Sequence, residues 1–303
     1  MACRPAARGC QSTGARSQRR KKSLTRAGRD VILVRMVNAR RLVGTHDVLF
    51  VTLDTLRYDV AARLFVEGRT PHLAAVLPAG GWERRHSPGS FTFSAHAAFF
   101  AGFLPTPARP GPHPRPFALE FPGSETTTDE TLVFDAPDIV TGFAMAGYYT
   151  ACIGGVGFFN KQTPLGRVLP GLFMESHWSP ELGVTSAHST EMQVALAERI
   201  LDTQDQRVFL FINISAIHQP NCIFTPGATK DTLETHMNAL GHVDAHLPPL
   251  FAALRRRGPA LVIMCSDHGT AYGEEGYFGH RLAHPVVMTV PYAEFILERQ
   301  EAR

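Results

Sequence analysis

Residues 259–264, Pro-Ala-Leu-Val-Ile-Met, run straight into Cys265-Ser266-Asp267-His268-Gly269-Thr270. This junction limits the folds open to the chain more than any other feature. An apolar run of that length with no polar alternation reads as a strand buried on both faces. Two further runs have the same character, Asp47–Leu53 and Val208–Ile214, and a shorter strand is predicted at Tyr149–Ile153. Helical patterns separate them, at 55–67, 97–101, 139–147, 186–203 and 232–257, the last with a break expected at Pro248-Pro249. A last strand is predicted at 286–290. The expected class is therefore α/β: three layers, α/β/α, around a largely parallel central sheet.

In open sheets of this kind, ligands bind beyond the carboxyl ends of the strands. Here those ends are polar. Asp54 follows the first run, His218 lies just past the third, and Asp267-His268 closes the last, with His280 and His284 soon after. Thr92 sits in the turn-rich stretch Ser87-Pro-Gly-Ser-Phe-Thr92-Phe-Ser94-Ala-His96, at or just before a helix whose N-terminus favours an anion. Each residue has an ordinary alternative: Asp54, Thr55 or Thr92 as a helix cap, His218 as a hydrogen-bonded loop residue. Together they place carboxylates, imidazoles and a hydroxyl on one sheet edge, a donor set suited to zinc or manganese.

Charge is unevenly spread. Residues 1–30 hold nine Arg or Lys against one acid, so a chain of net charge +3 has a body that is acidic by about five. The arm is poor in large apolar residues and is expected to be a disordered basic extension, taken as residues 1–45, with Met36 an alternative start. A non-functional extension is preferred to a nucleic-acid-binding tail around Arg19-Arg20-Lys21-Lys22. The short apolar run at 31–34, broken by Arg35, does not make a signal peptide. No stretch has the roughly 18–20 apolar residues that span a membrane, so no membrane partner is expected. Five cysteines without metal-ligand spacing read as reduced thiols, which points to the cytoplasm. Seven prolines between 105 and 123 mark a loop. Gly154-Gly-Val-Gly157 lacks the spacing of a dinucleotide loop. No linker divides the body, and residues 46–303 are read as one domain.

Several of these segments resemble the alkaline phosphatase superfamily, and within it the small bacterial sulfatase-like, metal-dependent hydrolases. They are the Leu53-Asp-Thr-Leu-Arg-Tyr-Asp59 ending of the first strand, Thr92-Phe-Ser-Ala-His96 leading to Ala101-Gly-Phe-Leu-Pro105, and Ser266-Asp-His-Gly269. The resemblance runs from about residue 47 to 297. It implies Asp54 as the first metal ligand, Thr92 as nucleophile and metal ligand, and Asp267 and His268 as later ligands. Thr92-Phe-Ser-Ala-His96 is similar to the T-F-P-N-H of nucleotide pyrophosphatases/phosphodiesterases. His280 falls where phosphoethanolamine transferases place a histidine after their Asp-His pair, and His218-Gln-Pro220 resembles their H-x-P loop. These two histidines are implied to hold a second metal or the substrate anion, with His284 a further candidate for substrate binding.

The departures are as informative. Formylglycine sulfatases need Cys or Ser within C/S-x-P-S-R, and Thr92 cannot become that aldehyde. Their G-K-W-H anion-binding motif is absent, with Asn160 or Lys161 as candidate replacements. The expected activity is hydrolysis of a small phosphate or sulfate ester with one or two divalent ions. Transfer to another acceptor, or phospho-ligand binding without turnover, are the alternatives. The sequence leaves the oligomeric state open.

Overall fold

The structure, a computed structural model, describes residues 37–300 apart from 103–104, 112 and 123–126. Most of the basic arm, and Met36 with it, lies outside the described residues. Residues 37–45, assigned above to the extension, instead include helix α1 (Ala39–Leu42), whose Ala39 is buried. Its backbone N–H donates to Glu130 O, which ties the segment to the body.

The strands are β1 (Asp47–Leu53), β2 (Glu83–His86), β3 (Thr106–Pro107), β4 (Phe117–Leu119), β5 (Leu132–Phe134), β6 (Tyr149–Ile153), β7 (Glu175–His177), β8 (Val208–Ile214), β9 (Ala260–Cys265), β10 (Ala271–Tyr272), β11 (Phe278–Gly279) and β12 (Thr289–Leu297). The further helices are α2 (Tyr58–Val66), α3 (Pro71–Ala74), α4 (Thr92–Phe100), α5 (Ile139–Met145), α6 (Ser189–Thr203), α7 (Leu233–His246), α8 (Pro248–Arg257) and α9 (Pro285–Met288). One eight-stranded sheet runs in the order β3-β2-β12-β9-β1-β8-β6-β7. From β9 through β1, β8 and β6 to β7 every pairing is parallel, while β12, β2 and β3 add antiparallel on the other side.

The continuous apolar runs are the central parallel strands, and their side chains divide between two cores. Leu49, Val51 and Leu53 of β1 pack with Leu64, Leu201, Leu240 and Leu254 from α2, α6, α7 and α8. Val48 and Phe50 face the other way, towards Phe99, Phe100 and Phe143 of α4 and α5. That alternation is the two-residue period of a strand used on both faces, and it produces the expected α/β/α layering.

Two expectations shift and a third holds. The helix predicted from Thr55 begins only at Tyr58, because Thr55 takes a left-handed φ of 63° and residues 55–57 turn away from the strand end. The stretch 232–257 divides at Leu247 into α7 and α8, the break expected at Pro248-Pro249, where two prolines remove backbone donors and start the second helix. The strand predicted at 286–290 is mostly a helical turn, α9, and β12 starts at Thr289. His284 caps that turn, its Nδ1 accepting from Val286 N at 3.3 Å, and Pro285 at the first helical position favours the turn over the ladder.

An aromatic cluster fixes α4, which carries Thr92. Phe211 of β8 lies 5.0 Å from Phe100, 5.5 Å from the His96 ring and 5.6 Å from Phe50, centroid to centroid. Such fully buried rings carry large transfer and packing energies. Phe211→Ala is expected to cost about 3–5 kcal/mol, measured as a lower urea midpoint with an unchanged slope.

Candidate active site and metal centre

The parallel strands end at one edge, and the polar residues that follow them meet there. Asp54 and Asp267 are fully buried, as is His268. One oxygen of each carboxylate and one nitrogen of His268 all lie within 4.8 Å of one another. His268 Nδ1 can only donate to the Gly269 carbonyl 2.9 Å away, so Nε2 keeps its lone pair. That lone pair faces Thr92 Oγ1 at 3.4 Å and Asp267 Oδ2 at 3.4 Å. Thr92 is the first residue of α4, where backbone N–H groups lack partners within the helix.

Second contacts aim these groups. Asp54 Oδ2 accepts from Asn213 Nδ2 at 3.0 Å, and Asp267 Oδ1 accepts from Thr55 N at 3.2 Å and His268 N at 3.0 Å. The strained left-handed backbone at Thr55 is what presents its N–H to Asp267. His96 Nδ1 donates to Thr92 O at 2.7 Å, its Nε2 accepts from Thr52 Oγ1 at 3.0 Å, and Asn213 Nδ2 donates to the same hydroxyl at 3.2 Å. Gly269 is required by close approach, since a Cβ there would lie 2.0 Å from Val286 O.

The remaining oxygens, Asp54 Oδ1 and Asp267 Oδ2, are buried with no hydrogen-bond partner. Burial pushes both acids up, Asp267 to about 7, and Asp54 to about 6 with the neighbouring Asp267 charge adding to it. Burial lowers His268, and it lowers His280 to about 3 with help from His268 and His218. Two buried acids, two orphaned oxygens and an imidazole lone pair are the complement of a divalent cation. The residues present fit one.

His218 and His280 flank this trio. The His280 ring is 4.7 Å from His268 and 5.6 Å from His218, and both line, with Thr92, a cavity of about 390 Å³. Its other walls include Val156, Phe158, Leu165 and Val184. Asn160 and Lys161 are not brought to Thr92; they line a separate cavity of about 530 Å³, where Lys161 Nζ donates to Ser176 O at 2.9 Å. His284 is occupied as the cap of α9, with its Nε2 3.7 Å from Glu275.

The cation in the Thr92 cavity is one the motif reading passed over. Arg281 follows His280 in a left-handed conformation (φ 68°), its N–H bonded to Ser90 O at 2.8 Å and its guanidinium 5.8 Å from the Phe91 ring centre. Asn213 and Thr52 were also passed over as ordinary strand residues. A polar amide one residue from the end of an apolar strand was the available signal, because a buried amide needs partners.

Fold and site together define an α/β/α enzyme of the alkaline phosphatase superfamily, a class that acts on phosphate or sulfate esters with divalent metals. The sulfatase family model matches residues 46–289, and the chain belongs to that family. No curated protein sequence matches it. The C-terminal periplasmic domain of phosphoethanolamine transferase EptC from Campylobacter jejuni is similar in structure, with 14% identity and a TM-score of 0.54 over 83% of this chain and 80% of that one. The corresponding EptC domain from Escherichia coli, in a complex with Zn, has 13% identity and a TM-score of 0.53 over 82% and 72%. A protein of the alkaline phosphatase superfamily from Vibrio parahaemolyticus has 17% identity and a TM-score of 0.53 over 85% and 61%.

The raised acids set a pH dependence. In the metal-free protein a folded-state pKa above the unfolded one stabilises at low pH, fully below about 4, and that contribution is lost as pH rises through 6 to 7. Metal needs the deprotonated acids, so its affinity runs the opposite way. The gap in melting temperature between zinc-loaded and chelator-treated protein should widen from pH 5 to pH 8, as scanning calorimetry would show.

Proposed function

We propose that this protein is a metal-dependent hydrolase of small phosphate esters, with Thr92 as nucleophile and Asp54, Asp267 and His268 as the metal ligands. The observation that carries it is the Thr92 hydroxyl, at a helix N-terminus and 3.4 Å from His268, beside two buried carboxylates with unpartnered oxygens. A divalent zinc or manganese ion held there would supply Lewis acidity, lowering the pKa of the attacking hydroxyl and offsetting charge on the transferring group. Thr92 Oγ1 attacks phosphorus in line with the leaving oxygen, the P–O bond to the alcohol breaks, and the N–H groups of α4 stabilise the developing charge. The hydroxyl proton passes to solvent, and the departing alcohol takes one up. Water then displaces Thr92 and releases phosphate.

His218 and His280 border the non-bridging oxygens or a second ion, and Arg281 binds the anion in place of Asn160 and Lys161. Phosphate is favoured over sulfate because Thr92 cannot be oxidised to formylglycine, and the phosphoethanolamine transferases that share the fold act through phosphorus by their names. Those names also favour a second reading, transfer to an alcohol acceptor in place of water, for which the apolar wall of the cavity offers room. A reducing location goes with the proposal, on the free thiols of Cys152, Cys222 and Cys265. Among the described residues no helix is long and apolar enough to cross a membrane.

Zinc- or manganese-loaded protein should turn over aryl phosphate esters faster than aryl sulfates. Thr92→Ala should lower kcat by at least about 10³-fold with metal content unchanged; full activity in that variant would overturn the mechanism. Free phosphate as the main product when alcohols are present would favour hydrolysis, and an alkyl phosphate would favour transfer. Arg281→Ala is expected to reduce kcat/KM by about 10- to 100-fold, the value of a charged hydrogen bond, mainly through KM.

A further inference from the structure

Away from the catalytic edge, α6 and α7 bring together a second set of metal-binding side chains. Glu191, in the first turn of α6, faces His242 and His246, which stand one helical turn apart in the last turns of α7. Residues four apart share a helix face, so both imidazoles are directed at the same carboxylate. His242 Nε2 is 3.3 Å from Glu191 Oε2, and His246 Nε2 is 3.3 Å from Glu191 Oε1. All three donor atoms fit within 4.8 Å of one another. Tetrahedral zinc, with bonds of roughly 2.0–2.1 Å to nitrogen and oxygen, separates its ligand atoms by about 3.3 Å, and each imidazole stands at that distance from one oxygen of Glu191.

The imidazoles are held as ligands are held. His246 Nδ1 can only donate to His242 O, 2.8 Å away, so Nε2 is the ring nitrogen directed at Glu191 and open to a metal. The His242 ring packs against Phe224, centroids 4.4 Å apart. Glu191 Oε2 and His242 Nε2 are both buried with no hydrogen-bond partner, although they are neighbours. They stand as an ion pair at 3.3 Å whose geometry makes no hydrogen bond, and a cation between them would satisfy both atoms.

We propose that Glu191, His242 and His246 form a second divalent transition-metal site, a clasp that ties α6 to α7 and shares no residue with the catalytic centre. Two imidazoles and one carboxylate select zinc, cobalt, nickel or copper over magnesium or calcium. His188, exposed and with its Nδ1 3.4 Å from Glu191 Oε1, stands within reach of a fourth position otherwise filled by water.

The test uses full-length protein carrying Asp54→Asn, Asp267→Asn, His268→Ala and His280→Ala, which strips the catalytic edge of its metal ligands; the Asp54→Asn, His268→Ala protein serves as a second background in case the first does not fold. Titration with Co²⁺ should show one ion bound per chain, with the intense visible bands of four-coordinate cobalt, and Zn²⁺ should displace it. Adding His246→Ala should remove the bands and weaken Co²⁺ binding at least about 10-fold, since changes even outside the ligand shell cost 10- to 100-fold. Glu191→Gln, nearly the same shape, should weaken binding without disturbing circular dichroism. Zn²⁺ should raise the melting temperature of the ligand-stripped protein, and not that of the protein also lacking His246. Absence of cobalt bands, or bands that survive both His246→Ala and Glu191→Gln, would overturn the proposal whatever the catalytic assays show.

Discussion

Two carboxylates buried side by side repel each other and lose the water that would screen them. Asp54 and Asp267 are in that position, and the surrounding structure is arranged around the cost. Thr55 bends into a left-handed conformation to give Asp267 an N–H. Asn213 interrupts an apolar strand to reach Asp54. His268 is locked into the tautomer that offers a lone pair. These contacts use one oxygen of each acid and leave the other bare, an arrangement that a divalent cation would complete. The burial that makes the acids costly is what fits them to such an ion.

Strands β1, β6 and β8 were legible to the residue, because a strand buried on both faces must be apolar throughout and must stop where polar residues begin. For the same reason Asp54 and Asp267-His268 could be placed at one edge before any coordinates. Lys161 and His284 show where this reading ends. Which of several cations enters a cavity depends on how loops 154–185 and 266–288 pack, and nothing periodic encodes that. Arg281 was hidden by its own conformation, since only its left-handed turn brings the side chain beside Thr92. The strand expected at 286–290 was lost to His284 and Pro285, whose capping outweighs two valines.

Membership of the sulfatase family and the chemistry of Thr92 pull in different directions only if the family name is taken as a substrate. The fold supplies an edge where an anion meets metal and a helix N-terminus, and both phosphate and sulfate esters suit that edge. In the proposed mechanism the residue at the start of α4 decides between the two routes. A threonine attacks as it stands, whereas the formylglycine route needs a side chain that can first be oxidised.

The order of strands in the sheet also decides which contact holds the two sides of the candidate site together. Strand β12 lies between β9 and β2, so the β2–β3 ribbon from residues 83–107, which brackets α4 and Thr92, joins the rest of the sheet through β12. The loop that carries His280 and Arg281 is closed by the same strand. Where residues 289–297 unpair, the ribbon that brackets Thr92 loses its link to β9 and to the Asp267-His268 corner beyond it. Fraying of that one strand therefore parts the two sides of the candidate site while β9, β1, β8, β6 and β7 stay paired in parallel.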